Sequence, residues 1–232
     1  MSFEMTENKF SRADLKWIAA ITMIIDHIAV IFISQQMFPL LYNGLRLLGR
    51  ISFPIICFLL VKGFRYTSDK RRYFMRLLIW AIISEIPFDL AFYGKLVHIG
   101  AQNVLYTLAL GLVVIMLVDK VLIQEGHGNV IGKTLLLVFI GMFLAGMLRT
   151  DYSYWGILTI TAFYLGQYQT KKRRSWLVIF ICAMQGVFQL FASAALLFTE
   201  NYNPDKKGKI PNNFFYWFYP VHLLVLWVIS LI

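Results

Sequence analysis

Residues 15–34 read LKWIAAITMIIDHIAVIFIS, and these twenty residues rise ~30 Å as a helix, the depth of a bilayer's hydrocarbon core. Asp26 and His27 sit in the interior of the run. An ionisable pair at that depth is costly and is kept for a site, a relay or a transport path. What other segments bring to the same depth therefore decides what the chain can do.

The remaining sequence offers the same solvent preference. Of its 232 residues, 59% are hydrophobic and 15% charged, against about half and about a quarter in a soluble domain. No hydrophilic stretch is long enough for a separate soluble unit, so residues 1–232 read as a single transmembrane domain. Long unbroken apolar runs argue against a β-barrel. The net charge of +10 lies in short loops between those runs. Lipid headgroups and topology account for it, and nucleic acid is not an expected partner. Cys57 and Cys182 lie in apolar segments with no CxxC spacing, and read as buried thiols. The polar start followed by a long first span, with no small-residue cleavage site, reads as an uncleaved anchor.

Eight apolar segments emerge, near 15–34, 48–64, 76–93, 103–124, 133–149, 153–168, 175–199 and 214–232. The expected fold is an all-α polytopic bundle of about eight transmembrane helices. Pro54 should bend the second and Pro87 kink the third. With both termini cytoplasmic, 15 of the 22 Lys and Arg residues face inward, as the positive-inside bias requires. Loop 200–213 is then external, and its three lysines are the main exception.

A rise of 1.5 Å per residue gives depths. From the inner face, His27 and His222 both lie ~18 Å up, Glu85 ~14 Å, Asp89 ~20 Å and Arg50 ~21 Å. Arg46, Asn103, Arg149 and Asp151 fall nearer the outer rim. Glu85 and Asp89 are spaced i, i+4 and share a helix face, as do Arg46 and Arg50. Any one of these could be a neutral interhelical pair that only fixes packing. Two histidines, three carboxylates and an arginine in one layer suggest a functional polar chamber. Glu85 or Asp89 is the expected partner orienting His27. Asp26 points ~100° away from His27 around the helix and faces Arg46 or Arg50.

The four histidines, His27, His98, His127 and His222, show no HxxxH or HExxH spacing, so no metal is expected. Neither a GxSxG elbow nor a phosphate-binding glycine loop occurs. A histidine near carboxylates suits a general base, and it suits proton relay in a transporter equally.

The stretches LKWIAAITMIIDHIAVIF, LRLLGRISFPIICFLLVKGFRYTSDKRRY and RLLIWAIISEIPFDLAFYG resemble the TraX family of membrane proteins. QNVLYTLALGL, TDYSYWGILTI and FFYWFYPVHLL extend the resemblance over nearly the whole chain. Most specific in combination are DHI, GRISFP, SEIPFDL and FYPVH. The family is known for acetylating pilin N-termini with acetyl-CoA. A histidine late in the first span is also similar to the large membrane acyltransferase families.

The resemblance implies an acetyltransferase of the bacterial cytoplasmic membrane, with acetyl-CoA as donor. The acceptor stays open among a peptide amine, a sugar amine and a glycan hydroxyl. His27, Asp26, Glu85 and Asp89 are the expected catalytic residues. Arg46, Arg50, His222, Asn103, Arg149, Asp151 and Tyr219 are expected to bind substrate. Lys62, Arg65, Arg71 and Arg72, or the 171–174 run, are expected to hold the donor's phosphates. The alternatives are a proton-coupled transporter or flippase using His27, Glu85 and Asp89, and an assembly factor without chemistry.

Overall fold

The computed structural model describes residues 9–124, 129–206 and 208–232. His127 and Lys207 lie outside the described residues. The described residues form helices and no strand. Four helical stretches are long and apolar enough to cross a membrane: Arg12–Phe32, Pro39–Tyr66, Val104–Gln124 and Val130–Met147.

Helix α1 (Arg12–Phe32) starts at a capping box. The Asp14 amide donates to the Ser11 hydroxyl and the Ser11 amide donates to the Asp14 carboxylate. Leu15, Ala19, Met23 and Asp26 lie on its buried face, so the apolar stripe itself turns Asp26 inward.

Helices α2 (Pro39–Gly49) and α3 (Ser52–Tyr66) replace the expected short span 48–64. They are broken only at Arg50 and Ile51. Pro54 does not bend a continuous helix. It occupies the first turn of α3, where its missing N–H needs no partner. Helix α3 is buried from Ser52 to Val61 and forms the centre of the bundle. Around it lie α4 (Lys70–Tyr93), α5 (Val104–Gln124), α6 (Val130–Met147), α7 (Ser153–Gly166) and α8 (Lys171–Met184). Helix α4 runs on through Pro87 without interruption.

The main departure from expectation lies in residues 175–199. The single expected span is a hairpin. Helix α8 stops at Gln185, and Gly186 follows with φ +107° and ψ 167°, a conformation that L side chains avoid. The chain returns through α9 (Val187–Leu190), a 3₁₀ turn (Phe191–Ala195) and α10 (Leu196–Thr199). Arg174, near the start of α8, meets Glu200 just after α10, its Nε donating at 2.8 Å.

This hairpin reverses the last crossing. Loop 200–213 lies against the start of α1, not at the opposite end. The Phe10 amide donates to the Asn201 carbonyl (3.1 Å) and the Asn203 amide to the Phe10 carbonyl (2.8 Å). Lys16 Nζ donates to the Pro211 carbonyl at 2.6 Å, and Lys206 Nζ lies 3.4 Å from Asp14. Helix α11 (Phe214–Ser230) therefore starts beside Trp17 (ring centroids to Phe214 5.4 Å) and runs parallel to α1. The expectations of an external 200–213 loop and of both termini on one side are corrected together. Lys206 and Lys209, apparent exceptions to the charge bias, join the basic end of the bundle.

Candidate functional site

Asp26, on α1, is 9% exposed and receives two guanidiniums from the end of α2. Arg46 Nη1 donates to Oδ2 at 2.5 Å, and Arg50 Nη2 donates to both oxygens at 3.2 Å. The i, i+4 spacing of the arginines puts both on one side of the helix, as expected. Gly49 makes the approach possible. A Cβ there would lie 2.2 Å from Asp26 Oδ1.

His27 turns away from that cluster toward α11. Its Nδ1 is 2.9 Å from His222 Nε2, and the rings lie nearly parallel at a centroid distance of 5.0 Å. The other nitrogen of His222, Nδ1, is 2.8 Å from the Phe218 carbonyl. That contact fixes the protons, because a carbonyl only accepts. His222 must carry its proton on Nδ1, so its Nε2 accepts from His27 Nδ1–H. Neutral His27 is thereby left with an unprotonated Nε2. Phe92 meets the His27 ring edge-on (5.1 Å), and Phe218 stacks on His222 (4.6 Å).

The expected carboxylate partners of His27 lie elsewhere. Glu85 accepts from the Asn103 side-chain amide and, at 3.3 Å, from its backbone N–H. Asp89 accepts from the His98 backbone N–H at 2.7 Å. Neither pairs with Arg46 or Arg50, whose carboxylate is Asp26. The depth estimates did not give the angle around the helix. Phe88, Phe92 and Tyr93 are the α4 residues that line the site, while the Glu85 and Asp89 carboxylates turn to Asn103 and to the His98 amide. Glu85 Oε1 and Asp89 Oδ1 are buried without a hydrogen-bond partner among the described residues.

A cavity of about 240 Å³ joins these parts. Asp26, His27, Arg46, Arg50, Asp151 and Tyr219 line it. The two arginines and two carboxylates balance in formal charge. His222 adjoins it through His27. Asn103 is fully buried in its contacts with Glu85 and the Ala81 carbonyl, and Arg149 is exposed; neither lines the cavity.

Ser52, Phe53 and Tyr152 also line it and were not anticipated from sequence. Tyr152 stacks on Phe53 at 3.6 Å. It belongs to a turn in which Arg149, Tyr152 and Ser153 all take positive φ (52°, 60° and 41°), at ~1–3 kcal/mol for each such residue. The Gln102 amide donates to the Arg149 carbonyl (3.0 Å), and the Asp151 amide donates to the Gln102 carbonyl (2.8 Å), so the turn is tied to the start of α5. No glycine marks this turn, which is why the pattern TDYSYW did not reveal it.

The residues expected to hold donor phosphates are dispersed over the basic end. Lys62 lies over the Phe58 and Tyr202 rings, Arg65 meets Gln167, Arg72 pairs with Asp69, and Arg71 is exposed. A second cavity of about 380 Å³ at this end is lined instead by Arg12, Lys16 and Arg76.

Comparison with known proteins resolves the lineage. The family model described as TraX protein matches residues 11–230. The chain belongs to the TraX family. A curated relative, "Probable fimbrial assembly protein FimC, serogroup H1" of Dichelobacter nodosus, is 30% identical over 244 aligned positions, covering 94% of each chain. No solved structure matches. The TraX match spans the histidine pair, the Asp26 cluster and the basic cavity alike.

Proposed function

We propose that this chain is an integral membrane acetyltransferase. It moves an acetyl group from acetyl-CoA to an amine or hydroxyl acceptor, either a pilin-like peptide N-terminus or an envelope glycan. The observation that carries the reading is the chain from His27 to His222 to the Phe218 carbonyl, which leaves an unprotonated nitrogen on His27, a residue that lines the cavity. TraX membership and a relative named for fimbrial assembly favour a pilin-like acceptor.

In this reading the basic end faces the cytoplasm of a bacterial cell, and the bundle crosses the cytoplasmic membrane several times. The acceptor N–H or O–H approaches His27 Nε2. As its nitrogen or oxygen attacks the thioester carbonyl, His27 takes the proton. The tetrahedral intermediate collapses, the carbon–sulfur bond breaks, and the thiolate leaving group recovers the proton from His27. While it holds that proton, the His27 imidazolium donates from Nδ1 to His222, which shares the charge. Arg46 and Arg50 supply positive potential for the developing oxyanion, held in place beforehand by Asp26.

The test is purified full-length protein with acetyl-labelled acetyl-CoA and an envelope extract. Label transferred to a peptide or glycan, with release of free CoA, supports the reading. Proton-gradient-dependent solute flux without any transfer would replace it with a transporter.

A further inference from the structure

The second cavity lies at the basic end, between the starts of α1, α4 and α11 and the last turns of α3. Its cationic lining consists of Arg12, Lys16 and Arg76, and its lining contains no carboxylate. Lys16 is 3% exposed, and its ammonium meets the carbonyls of Pro211 (2.6 Å) and Asn212 (3.5 Å). Arg12 donates to the Asn212 side chain at 3.4 Å. Its Nε is buried with no hydrogen-bond partner among the described residues. Cations gathered without carboxylates, one with an unused buried donor, are provision for an anion that supplies several acceptor oxygens. Deeper in, Leu59, Leu60, Leu105 and Leu108 make the wall apolar.

This cavity and the His27 cavity share one lining residue, Ile56 of α3, itself 8% exposed. Along α1, His27 stands ~17 Å beyond Lys16 and ~22 Å beyond Arg12. A phosphate seated among the cations thus lies from His27 at about the reach of an extended pantetheine arm.

We propose that the Arg12–Lys16–Arg76 cavity binds the phosphate-bearing end of the acyl carrier. The apolar wall takes its arm, and Ile56 is the partition that the thioester crosses to reach His27. The proposal rests on the acetyltransferase reading for the identity of the carrier. A phosphate anion could also belong to an anionic lipid, so the test separates the two sources.

The full chain is reconstituted in nanodiscs of pure phosphatidylcholine, and in others containing phosphatidylglycerol. CoA binding is titrated in both, and acetyl transfer is measured alongside. CoA should bind in pure phosphatidylcholine. Arg12→Gln and Arg76→Gln should each weaken it about tenfold or more, the worth of one charged hydrogen bond. Arg76 is exposed, so its variant serves if Arg12→Gln misassembles. Ile56→Trp should lower acetyl transfer by a larger factor than it weakens CoA binding, since the arginines that hold the phosphates stay in place. Transfer with CoA affinity indifferent to Arg12 and Arg76 overturns the cavity assignment and leaves the acetyltransferase reading standing. CoA binding that depends on both arginines, without transfer to any acceptor, supports the cavity and removes the reading. Phosphatidylglycerol retained through Arg76, with no CoA binding, overturns the carrier and makes the site a lipid seat.

Discussion

His27 on α1 and His222 on α11 share a single hydrogen bond of 2.9 Å across two helices that run in the same direction. The Phe218 carbonyl behind His222 gives that bond its polarity. In the proposed mechanism the two histidines have separate tasks: His27 presents the base and His222 holds its tautomer.

Exchanging these histidines should produce unequal losses. His27→Ala should lower acetyl transfer by ~10²–10⁴-fold, the usual contribution of a general base. His222→Phe keeps the ring's bulk beside Phe218 and removes the acceptor. It should cost ~10–100-fold, in line with loss of a residue that orients a functional ring. The measurement is turnover at matched membrane abundance. Equal and total loss in both variants would mean that the base is the pair as a unit.

Removing Asp26 should harm the protein more than removing either arginine. Asp26→Ala strands two guanidiniums in a mostly buried site, a loss of ~3–5 kcal/mol by the rule for broken buried pairs. Arg50→Ala leaves the 2.5 Å contact between Arg46 and Asp26 in place and should destabilise less. Thermal unfolding in one detergent orders the two variants. The reverse order would show that the two guanidiniums are solvated without Asp26.

Gly49→Ala should act through Asp26. Its new methyl would sit 2.2 Å from Oδ1, and overpacking of this kind costs ~1–3 kcal/mol. The carboxylate must move away from Arg46 and Arg50. Reduced stability with Asp26 present, and little further loss in a Gly49→Ala, Asp26→Asn double variant, would locate the clash there.

Accessibility labelling tests the parallel course of α1 and α11. Cysteines at 203 and at 68 should react from the same side as one at 9, and a cysteine appended after 232 from the other side. Reaction of position 203 from the side opposite position 9 would undo the hairpin at Gly186.

Much of the bundle was legible in the chain itself. Apolar runs of span length near 15–34, 103–124 and 133–149 mark helices suited to a bilayer, and the structure forms them as Arg12–Phe32, Val104–Gln124 and Val130–Met147. Helical spacing also determines that Arg46 and Arg50 share a face and that Asp26 and His27 diverge. These are local consequences of a fixed rise and turn per residue, and no tertiary contact was needed to reach them.

The tertiary structure decided everything that depends on the angle around a helix or on the direction of a return. Depth put Glu85, Asp89, His27 and His222 in one layer. Only the docking of α11 beside α1 chose His222 as the partner of His27, while Asn103 and the His98 amide took the carboxylates. That docking follows from the fold-back at Gly186, since a mostly apolar run of 25 residues, 175–199, is long enough for one span and long enough for a hairpin. Hydropathy is the same for both, and one left-handed backbone position separates them.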